Sequence, residues 1–361
     1  MRLIFALMVI IGHAPEMVDA NQSREPLFAL TGTTTMGSFA VAGFFLFSGY
    51  LISASMLRGN ALKPYFLNRI LRIYPGFIAA SLICVFVIAP LVGGNIGPYL
   101  IQTLFYIACL HVPMDYPGQF YGMINYPNLN GAVWTIAYEL RCYVLLAILW
   151  KLGVLQRRRL MVTLACIGIA SCVISSFSIP SSYLIRLGDW HNLKWVIGMV
   201  IPSMIFTTTF LIGSCFFLYQ KEFFETVNGK TALVCALVAG LLLATRHLDH
   251  FAMMTFGAVT LFWIALRAPL GRFQKINDRW DISYGTYLYG WPVATCIRWI
   301  FPAITPLELI VTTVPLALLA GAASWYGLER YAKVWHRSTG KAPAVRDGTL
   351  IAEPLAAGPK L

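Results

Sequence analysis

Charged side chains are scarce in this chain, and that scarcity excludes an ordinary water-soluble domain. Only 12% of its 361 residues are charged and 58% are hydrophobic, whereas soluble domains carry about twice that share of charge. CxxC pairs, internal repeats and a signal-peptide cleavage motif are also lacking. We therefore expect no disulfide framework and no metal site, and we interpret the eight cysteines as small apolar residues within helices.

Long apolar runs make up most of the sequence instead. Crossing a bilayer takes about 20 helical residues, and a membrane barrel would show alternating polar and apolar residues. The sequence therefore predicts an all-α polytopic membrane protein with about ten transmembrane helices. Segment 97–112 stays open, because it fits a re-entrant or surface helix as well as a further span. The predicted spans lie near 2–14, 36–56, 74–92, 130–150, 160–178, 195–219, 231–245, 251–267, 282–302 and 305–328.

The net charge of +12 follows the predicted topology. Most of the basic residues lie in the segments that become cytoplasmic when the N-terminus is inside, as the positive-inside rule requires. Both termini are then cytoplasmic, and the basic character does not indicate nucleic-acid binding. We expect one transmembrane domain over 1–335 and a flexible cytoplasmic tail over 336–361, which is rich in Gly, Pro and Ala.

Three polar residues fall inside predicted spans, where ionisable groups are costly and mark functional sites. His13 lies eleven residues after Arg2, or about 16 Å along a helix. Glu139 lies nine residues after Asn130, on a span that is predicted to run inward from the outer face. Ser48 reaches a comparable depth, so the three predict one midplane cluster. Structural alternatives stay open: His13 as a helix cap, Glu139 as the counter-ion of an arginine, and Ser48 as a small residue in helix packing.

Two arginines at the predicted cytoplasmic end of the helix bundle could bind a ligand with several phosphates. Arg69 and Arg72 are three residues apart, so they share one face of a helix. Guanidinium groups bind phosphate through bidentate, charge-assisted hydrogen bonds. Tyr74 and Pro75 close this segment as the next span begins. Plain anchoring of the helix at the membrane surface is the alternative interpretation.

Together these stretches resemble the membrane-bound acyltransferase-3 family, bacterial enzymes that O-acylate sugars of surface polysaccharides. The residues that carry the resemblance are Arg2 and His13 with ten residues between them, GFFLFSGYLI (43–52), FLNRILRIYP (66–75), NGAVWTIAYELRCY (130–143), ISYGTYLYGWPV (282–293) and SWYGLER (324–330). Two features depart from the family pattern. Members usually have several residues before the first arginine, so a mis-assigned start and a trimmed N-terminus both stay open, and many members have histidine where this chain has Gly290.

The resemblance implies a donor, a base and a cellular location. His13 is implied to be the catalytic base, with Glu139 as a catalytic residue of less defined chemistry. Acyl-CoA, most simply acetyl-CoA, is implied to bind as a substrate from the cytoplasm, with no permanently bound cofactor. The protein is then expected in the bacterial cytoplasmic (inner) membrane, in contact with lipid and with polysaccharide-assembly proteins. The implied acyl-CoA contacts are Arg2, Arg69, Arg72 and Tyr74.

The acceptor is expected to be a carbohydrate, and we predict Ser48, Asn130 and Trp134 as substrate contacts. Outer segments 97–129 and 179–194 are rich in aromatic and amide residues, which suit sugar recognition but equally form an interfacial aromatic belt. Longer acyl groups, peptide acceptors and an acyl-enzyme on Ser48 stay open. A transporter also uses ionisable groups at mid-membrane, yet the chain lacks paired broken helices and an inverted repeat. An assembly subunit would not need the Arg2–His13 spacing.

Overall fold

The computed structural model describes residues 1–59, 61–112, 115–123, 125–178, 198–268 and 281–331. All regular structure in these ranges is helical, which confirms the all-α prediction. The helices are α1 (Arg2–Asp19), α2 (Pro26–Thr31), α3 (Met36–Gly59), α4 (Leu62–Leu91), α5 (Leu100–Ala108), α6 (Gly131–Lys151), α7 (Arg158–Ser178), α8 (Val200–Leu218), α9 (Gln220–Thr226), α10 (Gly229–Leu243), α11 (Asp249–Leu266), α12 (Ser283–Ile300) and α13 (Pro306–Glu329).

Each of the ten predicted spans overlaps a helix of the described chain. The predicted start of the third span at 74 was wrong, because α4 begins at Leu62 and Tyr74 and Pro75 lie within it. Seven helices are long and apolar enough to cross a membrane, namely α3, α4, α6, α7, α8, α11 and α13. The pair α9 and α10, which meet at 98°, forms an eighth if it is one broken span. The other two predicted spans correspond to α1 and α12, which have 18 residues each and carry the polar side chains of the candidate site. The chain is a multi-pass membrane protein.

The surface of the bundle is apolar where the helices face outward. Several leucine, isoleucine and valine side chains on α7, α10 and α13 are more than half exposed, as expected of side chains that meet lipid acyl chains. The exposed fractions are 59% for Ile174, 61% for Leu237, 75% for Leu241, 62% for Val311 and 66% for Leu319.

Segment 97–112 does not cross the bilayer in this structure. It forms a short 3₁₀ turn, Gly97–Tyr99, followed by α5, which has only nine residues. Nine helical residues span about 13 Å, less than half of a hydrocarbon core of about 30 Å. The segment therefore belongs to the layer at the predicted outer end of the bundle.

Small residues bring helices α3 and α8 into backbone contact. A Cβ atom placed on Gly49 would lie 1.9 Å from the Phe210 carbonyl oxygen, and one on Gly213 would lie 2.0 Å from that of Leu46. Glycine is required here because no side chain fits between the two backbones. The close pair holds the middle of α3, including Ser48, in a fixed place within the bundle.

Two of the sequence predictions lie outside the described residues. The tail 336–361, and with it the proposed domain boundary, is one of them. The outer segment 179–194 is the other. The orientation of the bundle in the membrane stays a prediction from the charge distribution.

Candidate active site

The position of helix α1 along the axis of helix α3 determines which of their polar residues come into contact. A Cβ on Gly12 would lie 2.8 Å from the Gly37 backbone nitrogen, and one on Gly43 would lie 2.5 Å from the Phe5 ring. The two helices are therefore antiparallel, and the N-terminal end of α1 lies beside the middle of α3. The C-terminal half of α1 lies beside the start of α3, at the predicted outer end of the bundle.

This arrangement corrects the expectation of a single midplane cluster. Arg2 lines a cavity together with Ser48 and Glu139, so Arg2, and not His13, occupies the middle of the bundle. His13 lies eleven residues further along α1, about 16 Å away, next to Gly37 at the start of α3. The depth estimate was wrong for His13 because it took Arg2 to mark the inner membrane surface.

The central cavity has a volume of about 60 Å³ and combines cationic, hydroxyl and aromatic groups. Helices α1, α3, α4, α6 and α12 all contribute to its wall. The polar and aromatic lining residues are Arg2, Phe44, Phe45, Ser48, Arg72, Thr135, Glu139, Ser283, Tyr284 and Tyr287.

Glu139 accepts hydrogen bonds from two hydroxyl groups in this cavity. Ser48 Oγ donates to Glu139 Oε1 over 2.9 Å, and the Tyr143 hydroxyl donates to the same oxygen. The prediction that Ser48 and Glu139 reach the same depth is confirmed. Glu139 does not contact His13, so the expected pairing of this carboxylate with the imidazole is not formed.

The three arginines of the region have different surroundings. Arg72 forms an ion pair of 3.1 Å with Asp281. Arg69 lies outside the cavity wall, where it donates to Ser55 Oγ over 3.2 Å and stacks near aromatic rings. No hydrogen bond or ion pair reaches the Arg2 guanidinium from any residue that the structure describes. In the cavity, Arg2 and Arg72 face the carboxylates of Glu139 and Asp281, and Arg69 adds a positive charge just outside the wall.

Three other predicted site residues lie in packed positions away from the cavity wall. The Tyr74 hydroxyl donates to the Ala108 carbonyl over 3.2 Å, on the side of α4 that meets α5. The Asn130 amide donates to the Leu288 carbonyl over 2.8 Å and is buried. Trp134 packs edge-on against Tyr138, with 5.6 Å between ring centroids. Their geometry fits a structural role, and the structure gives each no opening toward the central cavity.

His13 forms its own polar site near the outer end of α1. Its Nδ1 atom lies 3.1 Å from Glu16 Oε2, and the Tyr126 hydroxyl donates to the other oxygen, Oε1, over 2.9 Å. Trp291 packs edge-on against the imidazole, with ring centroids 4.9 Å apart. If Nδ1 carries the proton and donates it to Glu16, Nε2 keeps a lone pair and acts as a base. No hydrogen bond to Nε2 comes from the described part of the chain.

The segment that supplies Tyr126 is held by side-chain amides. Gln119 Nε2 donates to the Pro127 carbonyl over 2.7 Å and to Asp115 Oδ1 over 3.1 Å. Asn128 donates to the other Asp115 oxygen over 3.0 Å. Tyr126 itself has a φ of +49°, the left-handed region that non-glycine residues adopt rarely. These bonds direct the phenol of Tyr126 toward Glu16.

Tyr287 separates the two polar regions. His13 lines a smaller cavity of about 10 Å³ together with Ala132, Gly290 and Trp291, and Tyr287 belongs to the wall of both cavities. Its hydroxyl bonds to Thr135 Oγ1 over 2.8 Å and also donates to the Ala132 carbonyl. One aromatic ring therefore stands between the cationic cavity and the imidazole.

A family model described as an acyltransferase domain matches residues 1–326 of this chain. The chain belongs to the acyltransferase-3 family. It is 23% identical over 295 residues to an O-acetyl transferase of Shigella phage Sf6, which covers 81% of this chain and 82% of the phage protein. It is 25% identical over 325 residues to nodulation protein 10 of Rhizobium leguminosarum bv. viciae, covering 80% of each chain. No solved structure matches it significantly.

Membership of the acyltransferase-3 family makes this protein a membrane O-acyltransferase. It therefore favours an enzyme over the alternatives of a transporter or an assembly subunit. An acyl transfer needs a site for an activated donor and a site for the acceptor.

Several residues of this acyltransferase site were not singled out from the sequence. Glu16 had a usable signal, since it lies three residues after His13 and shares its helix face. Tyr287 and Trp291 lie within the recognised stretch 282–293, but nothing in the pattern distinguished them from the other aromatic residues there. Asp281 and Tyr126 come from connecting segments, and only the folded chain brings them to their partners.

Proposed function

We propose that this acyltransferase moves an acyl group, most simply acetyl, from cytoplasmic acyl-CoA to a hydroxyl group of an exported or surface carbohydrate. The acceptor would be a polysaccharide or a lipid-linked sugar, and the membrane would be the bacterial inner membrane. The name of the phage relative, an O-acetyl transferase, supports acetyl as the group and oxygen as the acceptor atom. The excess of basic residues in the predicted cytoplasmic segments supports the orientation.

The observation that carries the proposal is the Arg2 guanidinium in the wall of the central cavity, which forms no hydrogen bond or ion pair with the residues that the structure describes. A guanidinium in a cavity wall that makes no hydrogen bond to the described residues keeps its N–H donors available to an anionic ligand. Phosphate groups of CoA would supply that charge, and Arg72 would reinforce the binding. The pantetheine arm would then extend along α1 past Tyr287, because Arg2 and His13 are about 16 Å apart.

In the proposed transfer, His13 acts as the general base. Its Nε2 takes the proton of the acceptor hydroxyl while the oxygen attacks the thioester carbonyl. The tetrahedral intermediate collapses, the carbon–sulfur bond breaks, and the imidazolium returns the proton to the leaving thiolate. Positioned bases of this kind contribute about 10²- to 10⁴-fold. Glu16 would hold the imidazole in the required tautomer and stabilise its cation, as the carboxylate does in a catalytic triad.

Glu139 and Ser48 belong to the donor side of the proposed site. Glu139 holds the Ser48 hydroxyl and lies near the charges of Arg2 and Arg72. An acyl group on Ser48 would lie at the level of Arg2, about 16 Å along α1 from His13. This separation favours direct transfer from the thioester over an acyl-enzyme intermediate.

The test is acetyl transfer by membranes that contain the full chain, supplied with labelled acetyl-CoA and carbohydrate from the cell envelope. His13→Ala is expected to lower label transfer at least about 100-fold. Glu139→Gln is expected to impair use of the donor. Unchanged transfer by His13→Ala would overturn the assignment of the base, and absence of transfer by the unaltered enzyme would overturn the proposed function.

A further inference from the structure

An open polar cleft lies next to His13 on the predicted outer side of the bundle. It has a volume of about 620 Å³ between the end of α1, the start of α2 and the segment that carries Tyr126. A space of this size accommodates a drug-sized or oligosaccharide-sized ligand. Its principal lining residues are Glu16, Asn21, Gln22, Ser23, Phe28 and Tyr126.

The cleft is linked to the base through two side chains. Glu16 lines the cleft and contacts His13 Nδ1 at 3.1 Å. Tyr126 lines the cleft and donates to Glu16. The side chain of His13 is itself 29% exposed, so a ligand held in the cleft can present a group to the imidazole. The central cationic cavity lies in the other direction, beyond Tyr287.

The chemistry of the lining indicates the class of ligand. No basic residue occurs among the described residues that line the cleft. The neighbouring Arg24 is directed to Asp19, with which it forms an ion pair, so the described residues around the cleft offer no unpaired cation to a phosphate or a carboxylate. Amide and hydroxyl groups together with aromatic rings are instead the groups that bind an uncharged molecule with many hydroxyls.

The walls of the cleft are organised before any ligand binds. Asn21 Nδ2 donates to the Asp19 carbonyl over 3.0 Å, and Asn21 Oδ1 accepts from the Ser23 backbone over 2.9 Å. On the opposite side, Asn125 donates to the Val18 carbonyl over 3.4 Å, which ties the Tyr126 segment to α1. Ligand binding therefore orders little additional chain.

We propose that this cleft is the acceptor subsite and that it takes an uncharged sugar unit, whose hydroxyl reaches His13 beside Glu16. The inference rests on the function proposed above and adds the place and charge class of the acceptor. Phe28 packs against the sugar ring, and the Gln22 amide bonds to its hydroxyls. Any phosphate of a lipid-linked acceptor lies outside the cleft.

The experiment uses the full chain purified in detergent, labelled acetyl-CoA, and neutral oligosaccharides released from the cell envelope. Phe28→Ala and Gln22→Ala are each expected to raise the half-saturating oligosaccharide concentration about tenfold, the effect of losing one good contact. The half-saturating concentration of acetyl-CoA and its slow hydrolysis without acceptor are expected to stay unchanged. Phe28→Tyr keeps an aromatic ring and is expected to restore acceptor use.

Two matched controls lie outside the cleft at the same end of the bundle. Tyr121→Ala removes an aromatic side chain that is 89% exposed, and Gln102→Ala removes an amide on α5. Both are expected to behave like the unaltered enzyme. The proposal is overturned if the half-saturating oligosaccharide concentration of both cleft variants stays within twofold of that of the controls. It is also overturned if the half-saturating acetyl-CoA concentration rises by the same factor as that of the oligosaccharide. If the unaltered enzyme transfers no acetyl group to the oligosaccharide, the proposed function itself is overturned.

Discussion

The carboxylate of Glu16 is expected to control how well His13 works as a base, and the substitution Glu16→Gln tests this. The Nδ1–Oε2 distance is 3.1 Å, and the two side chains are 29% and 18% exposed, so water screens the contact only partly. A hydrogen bond to a charged group in such a place contributes about 1.5–3 kcal/mol. Because the interaction strengthens when the imidazole gains a proton, we expect kcat to fall about 10- to 150-fold.

The assay is initial-rate acetyl transfer at varied acetyl-CoA concentration. The KM for acetyl-CoA is expected to stay unchanged, since the donor cavity lies about 16 Å away along α1. Asp19→Asn is the matched control, because Asp19 is an acid on the same helix that pairs with Arg24 and not with His13. It is expected to leave kcat unchanged.

A double-mutant cycle separates positioning of His13 from general damage to the fold. In a His13→Ala background, Glu16→Gln is expected to cause no further loss, because the two residues act as one unit. An equal loss in both backgrounds, or an equal loss in Asp19→Asn, would refute the reasoning. Glu16 would then be a structural residue of the outer cleft.

The remaining predictions concern the donor cavity and the packing that holds it. Arg2→Ala is expected to raise the KM for acetyl-CoA about 10- to 150-fold through loss of charge-assisted bonds, whereas Arg58→Ala at the exposed end of α3 leaves it unchanged. Gly49→Ala is expected to abolish the folded bundle, seen as loss of the monodisperse peak in size-exclusion chromatography, because its Cβ would lie 1.9 Å from a backbone oxygen of α8. Gly240→Ala, which meets no atom within 4 Å, should fold normally. Glu25→Ala is expected to destabilise the protein by about 2–4 kcal/mol in thermal unfolding, because its buried carboxylate accepts from backbone N–H groups at the starts of both α2 and α3. A Glu25→Ala variant as stable as the parent would show that these two caps contribute nothing.

Much of the architecture could be predicted because its cause is local. Long apolar runs determine where helices cross the bilayer, and each predicted span overlaps a helix of the structure. Segment 97–112 could not be assigned in this way, because its composition fits a span while its helical part has only nine residues. The length of that helix depends on how the chain turns at Leu110, which has a φ of +58°.

The candidate site could be predicted only in part. The meeting of Ser48 with Glu139 followed from counting residues inward along two helices that both cross the bundle fully. The same counting was wrong for His13, because α1 is displaced along its axis relative to α3. Residues from connecting segments, such as Asp281 and Tyr126, had no pattern that could connect them with partners far away in the chain.

By itself, the sequence determined that this protein lies in a membrane, that it is helical, and to which family it belongs. Transfer of side chains into lipid depends on composition, and short motifs persist in related chains. Only the tertiary structure decided that Arg2 lies in the middle of the bundle beside Ser48, that His13 lies near its outer end with Glu16, and that Tyr287 stands between them. The axial offset of one helix against another results from side-chain packing between distant segments, such as Gly12 against Gly37. Such contacts between distant segments produce no periodic pattern in the sequence of either segment.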